Sequence, residues 1–127
     1  MEQANHPDRP TSVLVVEDED MILDMVSEAL TEEGFEVHAF ANANEALRYL
    51  LAGSTVDVLF TDINLPDMDG LALAVRARQI RPSLPVVYAS GRISALRAEE
   101  RVPESEFVPK PYNPIQICRA LARAVHH

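Results

Sequence analysis

Cysteine is nearly missing from this 127-residue chain: Cys118 stands alone, which excludes an internal disulfide and fits a reducing, cytoplasmic setting. No apolar run approaches membrane-spanning length and no secretory pattern opens the chain, so neither a spanning helix nor export is expected. Internal repeats, low-complexity tracts and dividing linkers are lacking too, which leaves one domain. Lysine is as scarce as cysteine, with Lys110 alone against ten arginines. Positive charge is short above all in the first half. Residues 1–70 carry 16 acids against Arg9 and Arg48, a net of −14, whereas residues 71–127 carry a net of +5. The overall charge of −9 argues against general nucleic-acid binding, which needs a basic footprint. The acidic half points instead to a divalent cation.

What the chain has is apolar periodicity, and 47% hydrophobic residues suffice for a core. Residues 13–16, 56–61, 85–89 and 107–108 read as buried strands, and residues 35–40, with polar residues mixed in, as an edge strand. Ile22, Met25, Val26, Ala29 and Leu30 recur at helical spacing until Gly34 stops them. Ala46, Leu47, Leu50 and Leu51, closed by Gly53, make a second stripe. Leu73, Ala74, Ala77 and Ile80 make a third, begun by Asp69-Gly70, and Ile115, Cys118, Leu121, Ala122 and Val125 make the last. Residues 93–101 have a thin apolar face with Pro103 close behind, so the helix there, fourth in chain order, is expected to be short or irregular. Strands alternating with helices predict an α/β domain over residues 12–127, a five-stranded parallel sheet covered on both faces. A loose polar tail, residues 1–11, is expected before it.

The stretch FTDINLPDMDG, residues 60–70, ends a buried strand in a carboxylate, Asp62. In open parallel sheets, ligands bind beyond the carboxyl ends of the strands, where strand order reverses. Here the first strand runs into Glu17-Asp18-Glu19-Asp20, the third ends at Asp62, the fourth at Ser90-Gly91, and the fifth runs into Lys110-Pro111. Acids, a hydroxyl and an amine therefore gather at one sheet edge. Clustered carboxylates repel one another, and a hard cation relieves the repulsion; Mg2+ suits the place because it keeps waters and binds phosphoryl oxygens. A carboxylate beside that metal can attack a phosphoryl group and form an acyl phosphate. Positioning and charge neutralisation supply most of such catalysis.

VLVVEDE, LFTDINLPDMDG, VVYASG and FVPKP stand in the order, and at about the separations, of the response-regulator receiver motifs. From about Ser12 to Val125 the chain resembles a receiver domain of the chemotaxis-regulator, two-component type. The resemblance implies a flavodoxin-like, doubly wound sheet of order 2-1-3-4-5 with helices on both faces. It implies Asp62 as phosphoacceptor, Glu17 and Asp18 as the acidic pair serving Mg2+, and the backbone carbonyl of Asn64 as a further metal ligand. Lys110 would pair with the phosphoryl group, Ser90 would move toward it, and Phe107 would be the aromatic that repacks in response. A cis Lys110–Pro111 bond, also implied, would aim the lysine inward. Such a domain is no enzyme, although it assists its own phosphorylation and dephosphorylation. It takes its phosphoryl group from a sensor histidine kinase or phosphotransfer protein and biases a two-state surface for a downstream protein, or for a homodimer. Because the domain uses the whole chain, a single-domain phosphorelay regulator is expected, with neither nucleic acid nor membrane among its partners.

Plainer readings cover single residues. Asp18 and its neighbours can cap the first helix. Asp62 can form a turn before Pro66, Ser90-Gly91 can be a turn, and Lys110 a solvated charge. Phe107 and Cys118 can be core. His38 reads as solvated, Arg76, Arg78 and Arg81 as an exposed helix face, and His126-His127 as without a role. Taken together, these leave the shared location a coincidence. A calcium loop from Asp62 fails because Pro66 and Leu73 occupy ligand positions. A metal-dependent phosphohydrolase with an aspartate nucleophile would place a second aspartate where this chain has Asn64, and there is no room for a substrate-enclosing cap. A receiver-like interaction module acting without phosphorylation is the third alternative, and the presence of every site residue counts against it. Two departures from the family pattern stand out. Glu17 replaces the commoner aspartate and reaches further, and residues 92–106 lack the usual glycine-alanine approach to the last strand, which leaves the output surface open. Arg92, two residues after Ser90, is by spacing a candidate for tuning the phosphoryl lifetime.

Overall fold

The structure, a computed structural model, describes residues 9–90, 102–110 and 113–126, the side chain of Ser90 excepted. Along them run β1 (Ser12–Val16), α1 (Asp20–Glu32), β2 (Glu36–Phe40), α2 (Ala43–Leu51), β3 (Val58–Asp62), α3 (Gly70–Ile80), β4 (Val86–Ser90), β5 (Ser105–Pro109) and α4 (Pro114–Val125). The strands pair in parallel throughout, in the order β2-β1-β3-β4-β5. The doubly wound, flavodoxin-like arrangement expected from the resemblance is therefore present. Strand order reverses between β1 and β3, which places the crevice at the ends of those two strands.

Every residue of β1 and β3 is buried, because helices cover both faces. Side chains alternate along a strand, so the apolar runs divide between two cores. Val13, Val15, Val58, Phe60, Val87, Ala89 and Val108 pack against Val26 and Leu30 of α1 and Ile117 and Leu121 of α4. Leu14, Val16, Leu59, Val86 and Tyr88 pack on the other side with Ala46 and Leu50 of α2 and Leu73 and Ala77 of α3. The third strand begins two residues later than residues 56–61 predict and takes in Asp62 as its last member. His38, expected to be solvated, is half-buried on the edge strand. Its ring lies 5.0 Å from that of Tyr49, and its Nε2 is 3.0 Å from Glu36 Oε2.

Local chemistry sets the helix ends. Gly34 and Gly53, with φ of +96° and +87°, turn the chain out of α1 and α2. Asp69 caps α3 by accepting from the Ala72 amide at 2.7 Å, and Asn113 caps α4 ahead of Pro114. The start of α2 has two caps. Asn42 accepts from the Glu45 amide at 2.9 Å, while Asp67, from the β3–α3 loop, accepts from Ala43 at 3.1 Å and Asn44 at 2.9 Å. Beyond the other end of α2, Arg81 donates to the carbonyls of Leu50 and Ser54, at 3.2 and 2.5 Å. Arg78 donates to the Leu84 carbonyl at 2.6 Å. Of the three arginines expected on an exposed face, only Arg76 is exposed; Arg78 and Arg81 are half-buried and donate to backbone carbonyls.

At the base of the sheet, Arg9 pairs with Asp57 at 2.9 Å and the Thr11 carbonyl accepts from Glu36 at 2.9 Å. Residues 1–8, the helix expected over residues 93–101, and the Lys110–Pro111 bond lie outside the described residues. Among the described residues, no helix is long and apolar enough to cross a membrane.

Slight burial pushes the Asp67 carboxyl up, but the amides of Asn44 and Ala43 outweigh it and hold the group below its ordinary 3.8. A depressed folded value means that the fold prefers the ionised form. The resulting stability is complete above the ordinary carboxylate range and fades as pH falls through the folded value. Asp67→Ala should lose about 0.5–2 kcal/mol at neutral pH. Urea unfolding at a series of pH values should show the gap from wild type narrowing in acid; a constant gap would contradict this account.

Candidate functional site

The period of two that divides the cores also builds the site. Glu17 follows Val15 by two residues, Asp62 follows Phe60, and Lys110 follows Val108, and all three of those apolar residues belong to the core under α1 and α4. Strand geometry thus directs Glu17, Asp62 and Lys110 to one side of the sheet, at its carboxyl edge. The structure brings them into contact there.

Glu17 and Asp62 each keep only 2% of their exposure. Buried carboxylates are costly unless bonded and paired. Lys110 Nζ donates to Asp62 Oδ2 at 3.0 Å and lies 4.0 Å from Glu17 Oε1. The Asn64 amide donates to Asp62 Oδ1 at 3.2 Å, and the Glu19 amide donates to Glu17 Oε2 at 3.2 Å. Burial pushes the Lys110 ammonium down, but its bond to Asp62 and the fields of Asp62, Glu17 and Glu19 together hold it above 10.5, so it stays charged at neutral pH. Asp18 is exposed beside them. One oxygen from each of Glu17, Asp18 and Asp62 lies within 4.8 Å of the others. Three carboxylates and one ammonium leave an excess of two formal negative charges. An all-oxygen set with that excess and one open side suits a hard divalent cation that retains water.

The capping reading of the acidic run holds only in part: Glu19, the residue before α1, makes no side-chain capping bond, while Asp20 places a negative charge in the first turn. Asn64 is exposed next to Asp62. The backbone of Ser90 ends β4 opposite Pro109, which puts it at the same edge, one residue from Lys110 in the register. Its side chain, like all of Arg92, lies outside the described residues. Phe107 is half-buried on the opposite face, its ring 5.5 Å from that of Tyr88. Tyr88 is fully buried, and its hydroxyl accepts from the Val102 amide at 3.1 Å.

Two contributors escape a reading of the sequence. Asp67 acts on backbone amides of α2, more than twenty residues back, and nothing in its spacing announces that. Gly70 looks like a helix start. Its amide also donates to the Ile63 carbonyl at 2.6 Å, and a Cβ there would run into the Asp62 carbonyl and stand 2.9 Å from Ile63 Cα. The close approach of two backbone segments was the signal to seek, and DG after a loop proline only hints at it.

Comparison with known proteins agrees with this geometry. The model of the response regulator receiver domain matches residues 13–122. The chain belongs to that family. A receiver protein from Sinorhizobium medicae superposes with a TM-score of 0.85 at 32% identity, covering 91% of this chain and 94% of that one. Chemotaxis protein CheY4 of Vibrio cholerae follows this receiver domain with a TM-score of 0.79 at 27% identity, over 91% and 98% of the two chains. The DNA-binding transcriptional regulator NtrC of Salmonella typhimurium is 35% identical over 117 residues, 91% of this chain. The chain spans about a quarter of the length of the curated relatives it matches.

Gly70→Ala in this receiver domain should force the Asp62 and Ile63 backbone to move. The expected loss is on the order of 1–3 kcal/mol, as for other overpacked sites. Denaturant unfolding measures it, and an unchanged midpoint would show that the loop has room to spare.

Proposed function

We propose that Asp62 accepts a phosphoryl group from a sensor histidine kinase or phosphotransfer protein, within a receiver unit of residues 12–127. In this reading Mg2+ is held by Glu17, Asp18, Asp62 and the Asn64 carbonyl. The observation that carries it is the meeting of Glu17, Asp18, Asp62 and Lys110 at the reversal of strand order, two of the acids buried and the ammonium on Asp62. Mg2+ would supply neutralisation of the phosphoryl oxygens. An Asp62 carboxylate oxygen attacks phosphorus as the bond to the donor's imidazole nitrogen breaks. The electron pair stays with that nitrogen, which takes up a proton, and the product is an acyl phosphate.

Asp62 is covered by Lys110, whose side chain is 27% exposed on a flexible stem. Lys110 therefore has two tasks. It compensates Asp62 at rest, then turns to the phosphoryl oxygens once one carboxylate oxygen carries the phosphoryl group. Ser90 and Phe107 carry the change onward to a protein-binding surface, and Arg92 adjusts how long the acyl phosphate lasts. The target is a protein of the cytoplasm, or a second copy of this chain.

The burial of Asp62 also favours a second reading, in which its pair with Lys110 is purely structural and the domain binds partners without phosphorylation. Incubation with a small acyl phosphate and Mg2+, followed by intact mass, separates the two. The phosphoacceptor reading expects one phosphoryl addition, lost in Asp62→Asn and on chelation of the metal. A wild-type mass that never changes would leave the interaction module standing, and multiple turnover of phosphate esters would point to a phosphohydrolase.

A further inference from the structure

The carboxylates of the site stand just past the hydrogen-bonded ladder that joins their strands. Pairing between β1 and β3 ends at Val16 and Thr61, one residue short of Glu17 and Asp62. Besides Lys110, which contacts both Asp62 and Glu17, loop contacts therefore help to fix how the Glu17-Asp18 segment sits relative to Asp62. One such path is continuous. The Glu17 amide donates to the carbonyl of Phe40, the last residue of β2, at 3.1 Å. Three residues on, α2 begins, and its Ala43 and Asn44 amides donate to the Asp67 carboxylate. Asp67 leads back to Asp62 through a short loop whose neck is closed by Gly70 on Ile63 and by Asn64 on Asp62.

We infer that Asp67 is a positioning residue for the metal-binding carboxylates, fastening the Asp62 loop to the N-terminus of α2 and, through it, to the Glu17 loop. The inference rests on the proposed Mg2+ site. A carboxylate suits the task because two α2 amides need acceptors at once, and a helix N-terminus favours negative charge. The depressed Asp67 carboxyl value is consistent with that double bond. Ile63, Leu65 and Met68 pack against the core under α2 and α3, so the loop has apolar support as well. Losing Asp67 should loosen its placement and leave the fold in place. Asp67 sits five residues from Asp62 in a loop whose Asn64 is a proposed ligand, so small shifts are felt at the metal.

Calorimetric titration of the whole chain with MgCl2 tests this without any phosphoryl donor. Asp67→Ala should weaken Mg2+ binding about tenfold, the lower end of the usual cost of losing a partner that orients metal ligands. Asp67→Asn keeps one acceptor oxygen but turns an NH2 donor toward the second α2 amide, so it should recover only part of the affinity. Equal affinity in Asp67→Ala and wild type would overturn the inference, even if the variant were less stable, because a merely structural cap moves the unfolding midpoint alone. Should Asp67→Ala not fold, Asp67→Glu keeps the charge and displaces the oxygens; weakened binding supports the inference and unchanged binding overturns it. A wild type that binds no Mg2+ would remove the proposed metal site and this inference together, which is a different result from equal affinities.

Discussion

The bond between Lys110 and Asp62 joins the end of β5 to the end of β3, and the site depends on it. Two carboxylates as buried as Glu17 and Asp62 would each be costly without a nearby cation. The chain has one lysine, and it is here. A compact ammonium on a long stem can serve Asp62 at contact distance and Glu17 at 4.0 Å, and can leave either without rearranging a rigid planar fork. An arginine in its place would hold one carboxylate in a two-point grip. Among the described residues, Arg78 and Arg81 serve backbone carbonyls, and Arg9 and Arg123 serve carboxylates away from the site.

Much of this was legible because a parallel sheet converts linear position into spatial position. The central strands are apolar runs that stop at the same edge, and the polar residue at or just past the stop lands in the crevice. Glu17, Asp62 and Lys110 could be read in that way, and Asp18 with them. The fold was legible for the same reason, since strand and helix periods alternate cleanly from β1 to α3. What stayed hidden depends on groups that carry no side-chain signature. The partners of Asp67 are amides, Arg81 seeks carbonyls near the end of α2, and Gly70 matters through a Cβ that it lacks. His38 misled because a polar residue on an edge strand can still lie against an aromatic ring from the neighbouring helix.

The uneven charge of the chain takes on a local meaning in the structure. The acids of the first half are not gathered at one point. Asp57 is bound by Arg9 at the base of the sheet, Asp67 and Asp69 cap helices, and Glu36 meets His38. Among the described residues, Glu17, Asp18 and Asp62 form the group whose oxygens crowd together. Composition suggested a cation; topology chose which of 16 acids would face it.

That crowding also explains why a single ammonium is the better resting partner. If Lys110 neutralised the cluster fully, a divalent cation would have nothing to gain by entering. If it were absent, Asp62 and Glu17 would face each other buried and uncompensated, and the loops that bear them would be pushed apart. One positive charge among three negative ones lies between those limits. It keeps the edge of the sheet assembled and preserves a residual attraction for a cation. It also stands 3.0 Å from Asp62 Oδ2, so the contact that holds the resting edge together is one that any chemistry at that carboxylate would have to displace.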